Sequence, residues 1–378
     1  MENISLLRSL TEENLRDKRV LLRLDLNVPI ENGALLDDYR IKRALPTIEF
    51  LKKKKSKVVI ISHHTCLTQT LRPMEEALAK YIPAAFIEDV SDAQGIRDAL
   101  DDGRVAVCEN LRFHDEEESN DEDFAKRLAM LGDLYVNDAF SASHRNHASI
   151  VSIPKFLPSH LGFLFEEEIQ KLSIAFNPPH KFLFVLGGGK SKSKFHLIKK
   201  FLPIADAIFV GGALSFNFFK AMGYEIGASY YEEVDVPADF VRHKKILLPV
   251  DVRTRHGEKV MLKKPEEVEK NDSILDIGPQ TLAMLEEHIK EARFVLWNGP
   301  LGDYLVPGFG EGTRAFIDVL RKSKAQIVAG GGDTTALISQ SGAQDAFDFV
   351  STGGGSMLDF LAEGTLPGIE ALKLGIRR

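Results

Sequence analysis

Three glycine-rich turns hold the residues best suited to chemistry. Gly330-Gly331-Gly332-Asp333-Thr334 follows the apolar run Gln326 to Ala329. Gly187-Gly188-Gly189-Lys190-Ser191-Lys192-Ser193-Lys194 follows Phe182 to Leu186, and Ser351-Thr352-Gly353-Gly354-Gly355 follows Phe347 to Val350. Glycine at the end of a strand lets backbone N–H groups come close to a ligand. A helix that starts there adds its positive end. Lysines beside such turns favour phosphate, and an aspartate beside them favours a magnesium ion. One such turn is a weak signal; three in the same half of a chain point to a nucleotide phosphate site.

The first half ends its apolar runs in other residue types. Asp25-Leu26-Asn27, Ser62-His63-His64, Glu109-Asn110-Leu111-Arg112 and Asn137-Asp138-Ala139-Phe140 stand where the second half has glycine and lysine. Ligands of open parallel sheets bind beyond the carboxyl ends of the strands. The asymmetry therefore implies two ligands facing each other across a cleft, a small anion on the first half and a nucleotide on the second. Taken singly, each residue has a plainer reading. Asp25 and Asn27 could cap a turn, Arg40 could be an ordinary helix arginine, and Arg112 could pair with Glu116. His144 and His147 flank Arg145, but a metal is not expected between them. Lys190 and Lys194, four apart, would share a helix face.

The elements that must position these residues are short apolar runs alternating with amphipathic stretches. Strands are predicted at Val20 to Val28, Val58 to Ser62, Ala84 to Val90, Val105 to Cys108 and Tyr135 to Ala139, then at Phe182 to Leu186, Ala207 to Val210, Ile246 to Val250, Ile274 to Ile277, Phe294 to Trp297, Ile327 to Ala329 and Phe347 to Val350. Continuous apolar strands separated by helices predict parallel sheets covered on both faces. The number of strands predicts an α/β chain with two doubly wound parallel-sheet domains. The expected division is a first domain over 1–160, a hinge helix over 161–176 and a second domain over 177–360, with Leu157-Pro158-Ser159-His160 read as a break.

Bulk properties narrow the classes. The chain of 378 residues is 44% hydrophobic and has a formal net charge of −7, against a general nucleic-acid binder. Its two cysteines, Cys66 and Cys108, form no Cys-x-x-Cys pair, which suits a reducing cytosol and excludes a thiolate zinc site. No run approaches a membrane span, and the acidic N-terminus, with Glu2, Glu12 and Glu13, does not read as a signal peptide. A cytoplasmic monomer acting on small molecules is expected, without nucleic-acid or membrane partners.

The motifs taken together resemble the phosphoglycerate kinase family. The resemblance rests on Arg23-Leu24-Asp25-Leu26-Asn27-Val28-Pro29, Asp37-Asp38-Tyr39-Arg40-Ile41, Glu109-Asn110-Leu111-Arg112-Phe113 and Val136 to Arg145, then on the Gly187 to Lys194 turn, Trp297 to Gly302, Gly330 to Thr334 and Ser351 to Gly355. It implies two domains that close around a hinge, with a C-terminal tail of about residues 361–378 packing back on the first domain. It also implies reversible phosphoryl transfer between 1,3-bisphosphoglycerate and Mg-ADP, giving 3-phosphoglycerate and Mg-ATP. By resemblance, Asp25 and Asn27 would bind the glycerate hydroxyl and carboxyl end, and His63 keeps a substrate position. Arg40 would lie beside the transferring group, and Arg112 and Arg145 would grip the non-reacting phosphate. Lys190 would follow the transferring group and Lys194 would hold the nucleotide phosphates. Asp333 would bind the magnesium-nucleotide, with Gly331, Gly332 and Thr334 at the phosphates.

Two departures stand out. The family reads Ser-His-Leu-Gly-Arg-Pro where this chain has Ser62-His63-His64-Thr65-Cys66-Leu67, so a substrate arginine is expected to be missing, and Arg72-Pro73 reads as the start of the next helix. The ribose-binding glutamate of the family is Leu305 here. Ser141 stands where the family usually has glycine. The alternative these departures raise is a non-catalytic or weakened relative that still binds nucleotide. A dinucleotide oxidoreductase is disfavoured because Lys192 occupies the third glycine position of Gly-x-Gly-x-x-Gly, and a P-loop because residue 184 is Phe184.

Overall fold

Five short strands with buried, largely apolar interiors, and a sixth at the edge, build the first sheet: β1 (Arg19–Arg23), β2 (Lys57–Ile61), β3 (Ala84–Ile87), β4 (Val105–Cys108), β5 (Leu134–Asn137) and β6 (Ser159–Leu161). They run parallel in the order β3-β4-β2-β1-β5-β6. The computed structural model describes residues 7, 9–31, 34–35 and 38–375. Glu2, Asp37 and the last three residues of the expected tail lie outside the described residues.

The chain divides into two compact units, Met1–Gln170 with Glu363–Arg378 and Lys171–Ala362. In the first unit, α1 (Tyr39–Lys53) buries Ile41, Ala44, Leu45, Ile48 and Leu51, the stripe expected of a helix laid on a sheet. Arg40 sits on its first turn, at the carboxyl-end side of β1. The helix α2 (Pro73–Ala79) starts with proline at its first position, as the sequence predicts. Beyond it come α3 (Ala93–Asp101) and α4 (Glu122–Ala129). The division between units falls inside α5 (Phe163–Ser173).

The second unit repeats the plan. Its sheet has β7 (Phe182–Leu186), β8 (Ala207–Val210), β9 (Ile246–Leu247), β13 (Phe294–Asn298), β14 (Gln326–Gly330) and β15 (Phe349–Ser351), in the order β9-β8-β7-β13-β14-β15. Between β9 and β13 the chain inserts an antiparallel sheet of β10 (Val252–His256), β11 (Lys259–Lys263) and β12 (Ser273–Ile277). Its longer helices are α6 (Ser191–Phe201), α7 (Leu214–Ala221), α8 (Pro279–Glu291), α9 (Glu311–Arg321), α10 (Gly332–Gln340) and α11 (Gly355–Glu363). The last helix, α12 (Pro367–Gly375), belongs to the first unit. It approaches so closely that a Cβ at Gly368 would stand 2.7 Å from Ser143 Cβ and one at Gly375 2.7 Å from Ser159 Oγ.

Two expectations need correction. Ser159–Leu161 is an edge strand rather than a break, ordered by pairing with Tyr135–Asn137. Ile274 to Ile277 belongs to an antiparallel sheet, because its partner is Val252–His256 rather than a neighbouring strand of the parallel sheet.

Candidate active site

In the first unit, the strand ends gather cations around one imidazole. His63 is buried, with Nδ1 2.9 Å from Arg23 Nη2 and Nε2 3.2 Å from Arg145 Nη1. Burial, with Arg23, Arg112 and Arg145 nearby, holds His63 well below the usual histidine range, so it is neutral at pH 7. A guanidinium only donates, and a neutral imidazole has one acceptor nitrogen. Both arginines cannot be satisfied. Arg23 is fully buried and makes the shorter contact, so Nδ1 accepts from it and Nε2 carries the hydrogen. His63 Nε2–H and Arg145 then aim donors at the same space, which calls for an anion.

Two other buried nitrogens of this unit lack a hydrogen-bond partner. Arg112 Nε lies 2.9 Å from a Glu118 carboxylate oxygen but is not aligned to donate to it. Burial, and then Arg145, lower the Arg112 pKa. His147 Nδ1 is buried without a hydrogen bond and lies 3.8 Å from Glu117, and burial drops its pKa to about 4.

Sequence reasoning missed the buried layer beneath these groups. Arg23 Nε donates to Ser149 Oγ at 2.9 Å, and Ser149 Oγ donates to Glu117 Oε1 at 2.6 Å. The Ser149 amide donates to Glu117 Oε2 at 2.9 Å, and the Tyr135 hydroxyl donates to the Ser149 carbonyl at 2.7 Å. Arg23 and Glu117 are both fully buried. A charged residue directly following the apolar Val20–Leu22 run was the available signal for Arg23; nothing local singled out Glu117 within Asp115–Glu118.

The glycerate-type residues sit beside this cluster, already engaged with one another. Asp25 Oδ2 pairs with Arg40 and accepts from Ser141 Oγ, while Asp25 Oδ1 accepts from the Asn27 amide at 3.0 Å. Asn27 Oδ1 accepts from the Thr65 amide at 3.1 Å. Burial lowers the Arg40 pKa, and Glu168 raises it. Arg72 is bonded to Glu88 and stacks 4.6 Å from the Phe86 ring centroid, so it does not join the cation cluster. The loop after Ser62 is pinned by Glu109, whose Oε1 accepts from the Leu71 amide at 2.8 Å, and by Asn110, whose Oδ1 accepts from the His64 amide at 3.0 Å.

In the second unit, the glycine turns do two jobs. The Gly187 amide donates to the Asn298 carbonyl at 2.8 Å and the Gly188 amide to the Pro300 carbonyl at 2.7 Å. A Cβ at Gly187 would lie 2.2 Å from Pro300 O, and Gly299, at φ +93°, returns the close approach. These glycines let two loops interlock instead of offering their N–H groups to a ligand. Gly331, at φ +108°, caps α10. The space beside Gly332 and Gly354 is open.

What remains is a cavity of about 270 Å³ lined by Lys190, Lys194, Gly332, Asp333, Thr334 and Gly354. Lys190 caps the start of α6, and Lys194 lies one turn on. Lys194 is buried, with Nζ bonded to the Gly187 carbonyl. Burial lowers its pKa to about 8, against the pull of Asp333. Thr334 Oγ1 accepts from the Gly299 amide at 2.8 Å, fastening α10 to the Trp297–Pro300 loop. Asp333 Oδ1 accepts from the Tyr304 hydroxyl at 3.0 Å. A second cavity of about 250 Å³ adjoins through Gly188, Gly189, Pro300 and Asp333, and is walled by Phe216, Tyr230, Leu301, Tyr304 and Leu305. Leu305 is 76% exposed there. One polar cavity for phosphates beside one more apolar cavity suits a nucleotide.

Two carboxylates, Asp333 and Asp359, line this phosphate-sized space, a donor set magnesium accepts, since that ion is held by one or two carboxylates together with substrate phosphates. Among the described residues, the one cluster of three metal-capable side chains is elsewhere, at His256, Glu269 and Asp272, where Lys263 Nζ bonds Asp272 at 2.8 Å.

These features suit one class: an α/β phosphotransferase, with a cation cluster on one unit fit for a small phosphorylated acid and paired cavities on the other fit for a nucleotide. The family model described as phosphoglycerate kinase matches residues 10–364. The chain is 37% identical to the phosphoglycerate kinase of Dictyoglomus turgidum, covering 96% of this chain and 98% of that one. It is 40% identical to that of Coprothermobacter proteolyticus, with 97% and 98% covered. Among solved structures, phosphoglycerate kinase from Coxiella burnetii superposes with a TM-score of 0.82 at 34% identity, over 97% of this chain and 98% of that one. That from Pyrococcus horikoshii OT3 superposes with a TM-score of 0.83 at 29% identity, over 98% and 99%. The chain belongs to the phosphoglycerate kinase family.

Proposed function

We propose that this chain catalyses reversible phosphoryl transfer between 1,3-bisphosphoglycerate and ADP, giving 3-phosphoglycerate and ATP, as a glycolytic kinase. The observation that carries the reading is the pair of converging donors on His63 and Arg145, 3.2 Å apart, in a family of phosphoglycerate kinases. His63, Arg112 and Arg145 bind the substrate's non-reacting phosphate. Asp25 and Asn27 bind the glycerate hydroxyl and carboxyl end, with Asp25 exchanging part of its contact to Arg40 and Ser141 for substrate. Arg40, released from that contact, neutralises charge on the transferring group. Lys190 follows the group, and Lys194 with Gly331, Gly332 and Thr334 holds the nucleotide phosphates. Asp333 would hold magnesium, which supplies charge neutralisation at the phosphates.

Phosphoryl transfer asks little covalent work of the protein, and positioning with charge neutralisation provides most of the rate. No general base is required, because the attacking carboxylate or phosphate oxygen is already anionic. Because acceptor and donor groups belong to separate units, the reading includes hinge closure over both substrates during turnover. A cytoplasmic monomer is part of the same reading, as is the absence of nucleic-acid or membrane partners. No helix among the described residues is long and apolar enough to cross a membrane. The cations Arg40, Arg112, Arg145, Lys190 and Lys194 are all present, which argues against a non-catalytic relative. Consumption of ATP with 3-phosphoglycerate, followed in a coupled assay, tests the reading. ADP binding without turnover would leave a nucleotide-binding relative instead.

A further inference from the structure

Asp333 stands in the first turn of α10, behind a glycine cap that offers the helix no side-chain acceptor. The free N–H groups of such a turn attract a nearby carboxylate. Left to itself, Asp333 would be drawn back onto its own helix and away from the cradle. Among the described residues, its carboxylate has one hydrogen-bond partner, the Tyr304 hydroxyl at 3.0 Å.

Tyr304 is well seated for this contact. Its ring packs against the core cluster that contains Trp297, Leu301 and Phe316. Gly310, at φ +81°, makes room for it: a Cβ there would lie 2.7 Å from both Tyr304 Cα and Cβ. The chain segment that carries Tyr304 also grips the next residue of α10, since the Gly299 amide donates to Thr334 Oγ1 at 2.8 Å. The loop after β13 therefore holds two successive residues of that first turn, one from its start at Gly299 and one from Tyr304 further along it.

We propose that Tyr304 is a positioning residue that holds the Asp333 carboxylate outward, with one oxygen occupied and the other left for a divalent cation arriving with the nucleotide. This rests on the reading of Asp333 as the magnesium-binding carboxylate. Hydrogen-bonding partners of a ligating carboxylate fix its orientation, and their loss costs about 10–100-fold in metal affinity. Tyr304→Phe keeps the packed ring and removes only the hydroxyl.

The test is calorimetric ADP binding by the full chain, with and without Mg2+, for wild type, Tyr304→Phe and Asp333→Asn. Wild type should bind ADP more tightly with Mg2+, and Asp333→Asn should lose that gain. Tyr304→Phe should cut the gain about tenfold, over and above any change in metal-free ADP affinity that comes from the cavity wall it lines. A Tyr304→Phe variant with the full gain overturns the proposal. So does one that weakens metal-free and Mg-bound ADP equally, because that marks a general packing role. A wild type indifferent to Mg2+ overturns the reading of Asp333, and the proposal with it.

Discussion

Arg23 Nη2 stands 2.9 Å from His63 Nδ1, and both side chains are buried. This contact sets which nitrogen of His63 faces the substrate space, because a guanidinium cannot accept a hydrogen bond. His63→Asn keeps an acceptor for Arg23 but cannot reach as far as Nε2. Binding of 3-phosphoglycerate should weaken by about tenfold or more, the worth of a hydrogen bond to a charged group, with ADP affinity unchanged. Titration calorimetry with each ligand checks this; equal weakening of both would mean His63 supports the unit as a whole.

Burial of His147, with the same cations near it, makes the first unit acid-sensitive. The unfolded His147 imidazole takes up its proton below about pH 6.5, whereas the folded one resists until about pH 4. The unfolded state therefore binds more protons in that window, and stability must fall as pH drops through it. The slope for this one group is at most about 1.4 kcal/mol per pH unit, less solvent screening of a half-buried ring. Urea unfolding between pH 4.5 and 7 should show the loss, and His147→Gln should flatten part of it. An unchanged slope in the variant would place the proton uptake elsewhere.

Arg40 pairs with Asp25 in the structure, so its charge is at hand but engaged. If it acts on the transferring group, Arg40→Ala should lower kcat by about 10²–10³-fold, the usual cost of one charge-stabilising donor. ADP affinity should stay within twofold or so of wild type, since Arg40 lies on the unit without the nucleotide cradle. Near-normal turnover would remove Arg40 from the reaction.

The parallel sheets were legible because a strand buried on both faces must be apolar throughout, as Phe182–Leu186 and Phe294–Asn298 largely are. Helix α2 was legible from Arg72-Pro73. Ser159–Leu161 was not, because three residues with a polar start gain order only from pairing with β5. The hairpin of β10 and β11 turns on Gly257, at φ +59°, and its strands are half exposed, so no apolar run announces it. Gly187 reads as a ligand-facing glycine, yet its role is backbone interlock with Gly299 and Pro300; a glycine's sequence neighbourhood does not say which backbone approaches it. Ser141, read only as a substitution for glycine, in fact donates to Asp25. The layer of Arg23, Ser149 and Glu117 joins segments up to 126 residues apart, a relationship no local spacing encodes.

Lys194 gives the nucleotide site a pH dependence. Burial lowers its pKa to about 8, and a phosphate beside Nζ favours the ammonium form and raises that value. Binding then takes up a proton above pH 8, so metal-free ADP affinity should fall as pH rises past that point, by up to about tenfold per pH unit. Lys194→Arg keeps its charge throughout and should remove the step. A flat wild-type profile between pH 7 and 9.5 would mean that Nζ does not meet phosphate.

Resemblance to the family leads one to expect a ribose-binding glutamate at position 305, where this chain has leucine. It is 76% exposed on the wall of the more apolar cavity, with its amide bonded to Asp303 Oδ1 at 3.2 Å. A glutamate here could accept from ribose hydroxyls, a charge-assisted contact worth about 1.5–3 kcal/mol. Asp303 and Asp333 nearby oppose added negative charge, which favours the lower end of that range. Leu305→Glu should therefore tighten ADP about tenfold. The gain should vanish for 2′,3′-dideoxy-ADP, which offers no ribose hydroxyl to bond. Equal gains for both nucleotides would trace the effect to general electrostatics, and no gain for either would mean that position 305 does not face the sugar.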